Sequence, residues 1–422
     1  MSVIEHTLQA MLADLNANTR INIAFSGGID STVLLYAVSQ LCNTSKRSIR
    51  AIHINHQLHA DAQEWEQHCM RQCERLGIDY LSVNVDITPH RANGIEGAAR
   101  QVRYQAFIDT LDENDVLLMA HHADDQIETV LLQLFRGTGL HGLAGCAPSR
   151  QLGAAKLIRP FIHISRQEIE EYANEKALSW LEDPSNNSTV HDRNYLRHKV
   201  IPMLHSRWEG LRDVIGRTSQ WQKESIEIME SVAVEDIGSH IVGASLPLTQ
   251  VATLGDARLK NVLRWWIRAN GFLVPSAEVQ QRIVQDVVRS RGDCEACIQW
   301  QGCEIRKYRD NMFIQTRLSS HDPSVHFEWE VNQPLYLPSL NMTLTRENLS
   351  QAGLILNGIN SLQVRFRVGG EVIKPRGRGC SKELKTLFQE AGVAPWLRSR
   401  IPLIFNQDEL IYVWDYWIGE GY

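Results

Sequence analysis

No uninterrupted apolar run in this chain approaches the roughly 18 residues that would span a bilayer, so membrane roles drop out. The opening MSVIEHTLQAMLADLNANTR spaces Val3, Ile4, Leu8, Met11, Leu12 and Leu15 as on an amphipathic helix, without the basic start and apolar centre of a secretory signal. The expected setting is cytoplasmic. Internal repeats and low-complexity tracts are also lacking, which argues against solenoids and disordered tails. The eight cysteines are scattered at positions 42, 69, 73, 146, 294, 297, 303 and 380, in a chain too long to need a disulfide framework, so free thiols are expected. Cys294, Cys297 and Cys303 form a CxxC with a third member, but no histidine stands nearby to complete a zinc site. A formal net charge of −6 disfavours indiscriminate nucleic-acid binding and leaves room for local basic patches.

What is present is enough for a sizeable core: 422 residues, 43% of them hydrophobic, imply two or three domains. From Ile21 to about Ala120, short apolar runs (INIAF, AIHIN, YLSVNV, DVLLMA) alternate with helical patterns. That alternation predicts an α/β fold, a doubly wound parallel sheet, with ligands at the carboxyl ends of its strands. Ser26 to Asp30, His53 to His56 and His121 to Asp125 would then share one rim. Past about Leu211 the alternation stops. A helical middle domain is expected over 211–320, with strand-like segments around Cys297 to Thr316. A small mixed α/β domain is expected over 354–422.

The turn in INIAFSGGIDSTVLLYAV carries the clearest chemistry. Gly27 and Gly28 permit backbone angles closed to other residues and let amides approach a ligand. Because the turn opens a helix, free amides and the helix dipole both favour an anion. The Walker lysine is missing, and Asp30 stands where a cation could be held against pyrophosphate oxygens. Ser26, Ser31 and Thr32 add hydroxyls; an ordinary capped strand-turn-helix is the bland alternative.

SGGIDS resembles the pyrophosphate loop of the N-type ATP pyrophosphatases, a motif shared by several members of that superfamily. Four further segments are similar to tRNA(Ile)-lysidine synthetases: EGAARQVRYQAF, HHADDQIETVLLQLFRGTGLHGL, EDPSNNSTVHDRNYLRHKVIP and the tail from Phe366 to Ile404. The middle, about 211–353, matches loosely. The resemblance implies a pyrophosphatase-type catalytic domain over 1–210 that uses ATP and Mg2+ and contacts tRNA also through the other two domains. The implied reaction ligates free L-lysine to C2 of the wobble cytidine of a tRNA(Ile) with a CAU anticodon. It passes through an adenylated cytidine, releases AMP and pyrophosphate, and changes decoding from AUG to AUA.

Candidate residues follow. Ser26, Gly27, Gly28, Ile29, Asp30 and Ser31 are expected to bind ATP, with Asp30 also the metal ligand. Asp124, Asp125 and Glu128 share a helical face that suits a lysine ammonium or magnesium, a solvated acidic first turn being the alternative. Arg100, Arg103 and Tyr104 stack on another face, where guanidinium forks suit phosphate oxygens or surface salt bridges. Asp30, His122, Asp125, Glu128 and Arg103 are the expected catalytic group; which residue deprotonates the amine stays open. RGTGLHG, 136–142, contains GxGxxG but follows a helix rather than a strand, and reads as a loop beside the nucleotide or a helix C-cap. Arg193, Arg197, Lys374, Arg376 and Arg378 are expected to contact tRNA, while Phe366, Phe388 and Trp396 fit core packing better than base stacking. His53 and His56 read as satisfied rim histidines. A tRNA thiolase would need cysteines on the active rim; a non-catalytic tRNA binder would not need an intact loop. Oligomeric state is open, a homodimer being one reading.

Overall fold

The structure is a computed structural model that describes residues 1–43, 47–57, 61–88, 95–183, 188–238, 243–290, 296–356 and 358–422. It divides into two compact units, Met1–Ile228 and Met229–Tyr422.

In the first unit, α1 (Val3–Ala13) begins with a reciprocal cap: Ser2 Oγ accepts from the Glu5 amide, and Glu5 accepts from the Ser2 amide. Ile4, Leu8 and Leu12 form its buried stripe, as their spacing predicts. Strands β1 (Ile21–Ala24), β2 (Ile49–Asn55), β3 (Asp79–Asn84) and β4 (Val116–Leu118) alternate with α2 (Ile29–Cys42), α3 (Ala62–Leu76), α4 (Ile95–Thr110) and α5 (Ala123–Phe135). A short α6 (Leu140–Leu143) follows, then a hairpin of β5 (Ser149–Leu152) and β6 (Ala155–Ile158) that the apolar pattern did not announce. The sheet order is β3-β2-β1-β4-β6-β5, parallel except for the β5 edge. Helix α2 buries ten of its residues because α1 and α7 (Arg166–Glu175) cover it on the side away from the sheet. Each fully buried Val or Leu there contributes about 1.5–3 kcal/mol.

Asp192–Arg207 is one continuous helical stretch: α8 (Asp192–Tyr195), a π-turn at Leu196–Val200, and α9 (Ile201–Arg207). Pro202 has no N–H for the His198 carbonyl, which accounts for the altered winding. Helix α10 (Leu211–Ile237) runs through the boundary of the units.

The second unit opens with β7 (Ser245–Pro247), α11 (Leu248–Val251), α12 (Asp256–Ala269) and α13 (Ala277–Arg282). Then come β8 (Cys297–Trp300), β9 (Cys303–Tyr308) and β10 (Asn311–Thr316), in the sheet order β7-β10-β9-β8. Their shared core centres on the fully buried Trp266. A second core surrounds β11 (Phe327–Glu330), the hairpin β12 (Leu335–Leu337) and β13 (Met342–Leu344), α14 (Arg346–Gln351) and β14 (Ser361–Arg365). The pair β15 (Val372–Ile373) and β16 (Lys382–Glu383), α15 (Leu384–Glu390), α16 (Pro395–Arg398), β17 (Leu403–Asn406), β18 (Glu409–Val413) and β19 (Trp417–Ile418) complete the chain. Phe366 and Phe388 are core residues, and Trp396 packs edge-on against Tyr308 and Phe313. No described helix is long and apolar enough to cross a membrane.

Candidate active site

Chain order reverses at β1, between neighbours β2 and β4, so the turns leaving β1 and β4 open a crevice at the strands' carboxyl ends. Gly27 has φ +82°, and a Cβ there would meet Cys69 Sγ at 2.9 Å and the Leu181 side chain at 3.0 Å. Glycine is required. Gly28 caps α2 with no side-chain bond of its own, the kind of helix opening whose amides and dipole favour an anion. Ser31 Oγ donates to the Gly28 carbonyl at 2.9 Å and lies 3.1 Å from Ser26 Oγ, so hydroxyls line the turn. Thr32 instead donates inward, to the Gly27 carbonyl. The Leu181 amide holds that carbonyl from the other side at 2.9 Å, making 178–183 a strap across the loop.

Asp30 is clasped by a residue that sequence reasoning missed. Arg166 Nη1 lies 2.7 Å from both of its carboxylate oxygens. Arg166 Nε also binds Glu170 at 2.8 Å, and its backbone amide donates to Asp124 at 2.9 Å. The signal was available: Ser165 and Glu168 spell a capping box, with reciprocal bonds that fix the start of α7 and so aim its first residue. Burial pushes the Asp30 carboxyl upward, against the pull of His122 and Arg166.

On α5, His122 caps the helix and its amide donates to Asp125 at 3.0 Å. Its ring sits among three carboxylates, with Nε2 3.5 Å from Asp125 and 3.7 Å from Asp30, and Nδ1 3.7 Å from Asp124. The expected carboxylate face exists, but it is not bare. Arg193 binds Glu128 at 2.6 Å and Asp125 at 2.9 Å; Arg197 binds Glu128 at 2.5 Å. Arg212, also missed, binds Asp124 at 3.1 Å. Burial raises the Asp124 carboxyl, but the Arg166 amide and Arg212 outweigh it and hold it below the usual range. Asp125 likewise ends low, because His122 and Arg193 overcome its burial. Arg193 and Arg197 thus turn toward the carboxylates rather than outward.

Two cavities meet at this crevice. The larger, about 540 Å³, is lined by Ser26, Gly28, Asp30, Asp124, Glu128, Arg166, Glu170, Glu182 and Arg197, among others. The smaller, about 280 Å³, has apolar walls from Ile52, Ile54, Phe107 and Met119, with His56, Arg103, His121 and Asp125 at its polar end. Burial holds His121 well below its ordinary range, and its Nδ1 is buried without a hydrogen-bond partner. His53 is satisfied by the Phe25 carbonyl at 2.9 Å. Arg100, Arg103 and Arg150 surround the Tyr104 ring, and of these only Arg103 lines the smaller cavity.

Other expectations resolve differently. Gly137, at φ +65°, ends α5 with the Thr138 amide bonded to the Gln133 carbonyl, so RGTGLHG begins as a helix C-cap and runs into α6, and none of it lines either cavity. Cys69 and Cys73 are buried, their thiols pushed up to about 12, so neither offers a thiolate for sulfur chemistry. Cys294 lies outside the described residues; Cys297 pairs across the strands with Arg306, and Cys303 with Trp300. The basic tail is partly self-neutralised. Lys374 pairs with Glu420, Arg378 and Lys382 share Glu390, and Arg376 donates to the Gly353 carbonyl at 3.1 Å.

Comparison with known proteins fits this geometry. A PP-loop domain model matches residues 1–204, a TilS substrate binding domain 246–313, and a TilS substrate C-terminal domain 362–422. The tRNA(Ile)-lysidine synthase of Coxiella burnetii is 37% identical over 98% of this chain and 93% of its own length. That of Alkalilimnicola ehrlichii is 36% identical over 96% and 92%. Among solved structures, a U34-tRNA thiolase from Methanococcus maripaludis aligns at 20% identity and TM-score 0.44, over 52% of this chain and 78% of that one. With identity of this degree running nearly end to end in both chains, this chain belongs to the tRNA(Ile)-lysidine synthase family.

Proposed function

We propose that this protein is a ligase that uses ATP to join L-lysine to C2 of the wobble cytidine of a tRNA(Ile) with a CAU anticodon, forming lysidine and moving decoding from AUG to AUA. One observation carries the reading: a glycine turn that opens a helix and a carboxylate-bearing helix start both line one cavity of about 540 Å³ at the sheet's reversal point. The reaction needs a site for pyrophosphate beside a site for an ammonium group.

ATP places its β and γ phosphates on Ser26 to Ser31, with adenine against Ile52, Ile54, Phe107 and Met119 in the smaller cavity and Arg103 on the phosphate side. Magnesium commonly takes one or two carboxylates together with substrate phosphates, and the donor set here, Asp30 at the loop, fits that pattern. Asp30 would hold it, and the ion would offset phosphate charge. Cytidine O2 attacks the α-phosphorus, the bond to the β-phosphate oxygen breaks, and pyrophosphate leaves. The lysine ε-amine, oriented by Asp124, Asp125 and Glu128, attacks C2; the C2–O2 bond breaks and AMP leaves. The amine proton passes to the cluster formed by His122 and its carboxylates. Arg193 and Arg197 hold Asp125 and Glu128 in place, and Arg197, half exposed, also lines the larger cavity. Positioning and electrostatics do most of the work. A cytoplasmic setting belongs to the same reading.

The nucleotide products test it. AMP and pyrophosphate should form in a tRNA-dependent manner, whereas ADP and inorganic phosphate would overturn the assignment of the loop.

A further inference from the structure

Along α12, Lys260, Arg264 and Arg268 recur every fourth residue, so they step about 6 Å at a time along one side of the helix. The buried stripe of Leu259, Val262, Leu263, Trp266 and Ile267 flanks the row and anchors the helix in its core. Each of the three cations is half-buried. Among the described residues none of them has a carboxylate at ion-pair distance. Arg264 reaches only the neutral Gln280 amide oxygen at 3.4 Å, and Glu230 acts on Arg268 at longer range. Nearby arginines are treated otherwise: Arg258 pairs with Asp236, Arg289 with Asp256, and Arg306 with Glu304. Burial weakens the hold of the Arg264 and Arg268 guanidiniums on their protons, and Arg264 adds to the effect on Arg268.

A cation withdrawn from water without a counter-ion carries a cost that an arriving anion removes. Three such groups in line, each one turn from the next, match an extended polyanion better than a single phosphate or carboxylate. We infer that Lys260, Arg264 and Arg268 form a docking row for consecutive backbone phosphates of the substrate tRNA. The row lies within the segment that matches a substrate binding domain model, and the inference rests on the proposed tRNA substrate. Phosphate contacts of this kind set register and affinity without reading sequence.

The test is binding of a tRNA(Ile) transcript with a CAU anticodon across a salt series, for the parent and for the triple variant Lys260→Gln, Arg264→Gln, Arg268→Gln. Each lost phosphate contact should flatten the plot of log affinity against log salt by about 0.7 to 0.9, so the triple variant should lose about 2 units of slope. A charge-keeping variant, Lys260→Arg with Arg264→Lys and Arg268→Lys, should retain most of the slope, which separates charge from helix damage. If the parent binds the transcript and both variants keep its slope, the row falls and the proposed function stands. If the parent binds no tRNA, both fall. Competition by polyaspartate as effective per charge as RNA would reassign the row to an acidic protein and overturn the inference.

Discussion

Arg166 Nη1 stands 2.7 Å from both carboxylate oxygens of Asp30, across 136 positions of sequence. The acidic residue of the anion loop is therefore already neutralised by an arginine lining the same cavity. On the proposed function, the same guanidinium would also face nucleotide phosphates in that cavity.

Asp30→Asn keeps the shape of the turn and removes its charge. Single-turnover adenylation should fall on the order of 10²-fold, with tRNA affinity unchanged. Near-normal adenylation at saturating magnesium would reduce Asp30 to a helix-opening residue. Arg166→Ala should weaken ATP binding, and the double variant should fall short of the summed losses, because the two side chains share one interaction.

Glu128 is 1% exposed and held by two guanidiniums. Glu128→Ala leaves both without their main acceptor and should cost about 3 kcal/mol in a urea denaturation, the low end for a broken buried pair because Arg193 and Arg197 still reach water. Asp125→Ala should mainly impair lysine use, so that adenylated tRNA accumulates or hydrolyses while ligation falls. Unchanged lysine affinity and ligation in both variants would move the lysine site elsewhere.

Acid should destabilise the first unit through His121. Burial lowers its folded pKa below the ordinary 6.5, so as pH falls through 6.5 the unfolded chain gains a proton that the folded chain does not. Stability is then full above 6.5 and declines below it, by up to about 1.4 kcal/mol per pH unit for this one group. Denaturation at pH 7, 6 and 5 should show a shallower decline in His121→Gln than in the parent. Equal slopes would mean that His121 is not held neutral. Asp125, whose folded carboxyl lies below its ordinary 3.8, acts only in more acidic solution.

Much of this was legible in the sequence because it is local. SGGIDS fixes a turn through glycine geometry, and HHADDQIE fixes a helix start with its acids in the first turns. The β5–β6 hairpin was not legible, since strands of four residues make too short a pattern to stand out. The pairing of the site was not legible either. Arg166, Arg193 and Arg212 find Asp30, Glu128 and Asp124 at separations of 136, 65 and 88 residues, and ion pairs at that range leave no periodic trace. The same holds for the tail, where Glu420 and Glu390 fold back onto cations that look unopposed in sequence.

That neutralisation tempers the expected effect of the tail. Replacing Lys374, Arg376 and Arg378 with serine should flatten the salt plot of tRNA affinity by less than three full contacts of about 0.7 to 0.9 each. Turnover of pre-bound complex should survive. An unchanged slope with normal affinity would assign the cluster to solvated surface.

The most direct measurement is transfer of labelled lysine to RNA. The protein, ATP and labelled L-lysine are incubated with a panel of tRNA transcripts, and label is followed into acid-precipitable RNA and mapped by nuclease digestion. Label at the wobble cytidine of the CAU-anticodon tRNA(Ile), dependent on ATP, is the expected result. Absence of label from that transcript, or label on every transcript alike, would contradict it.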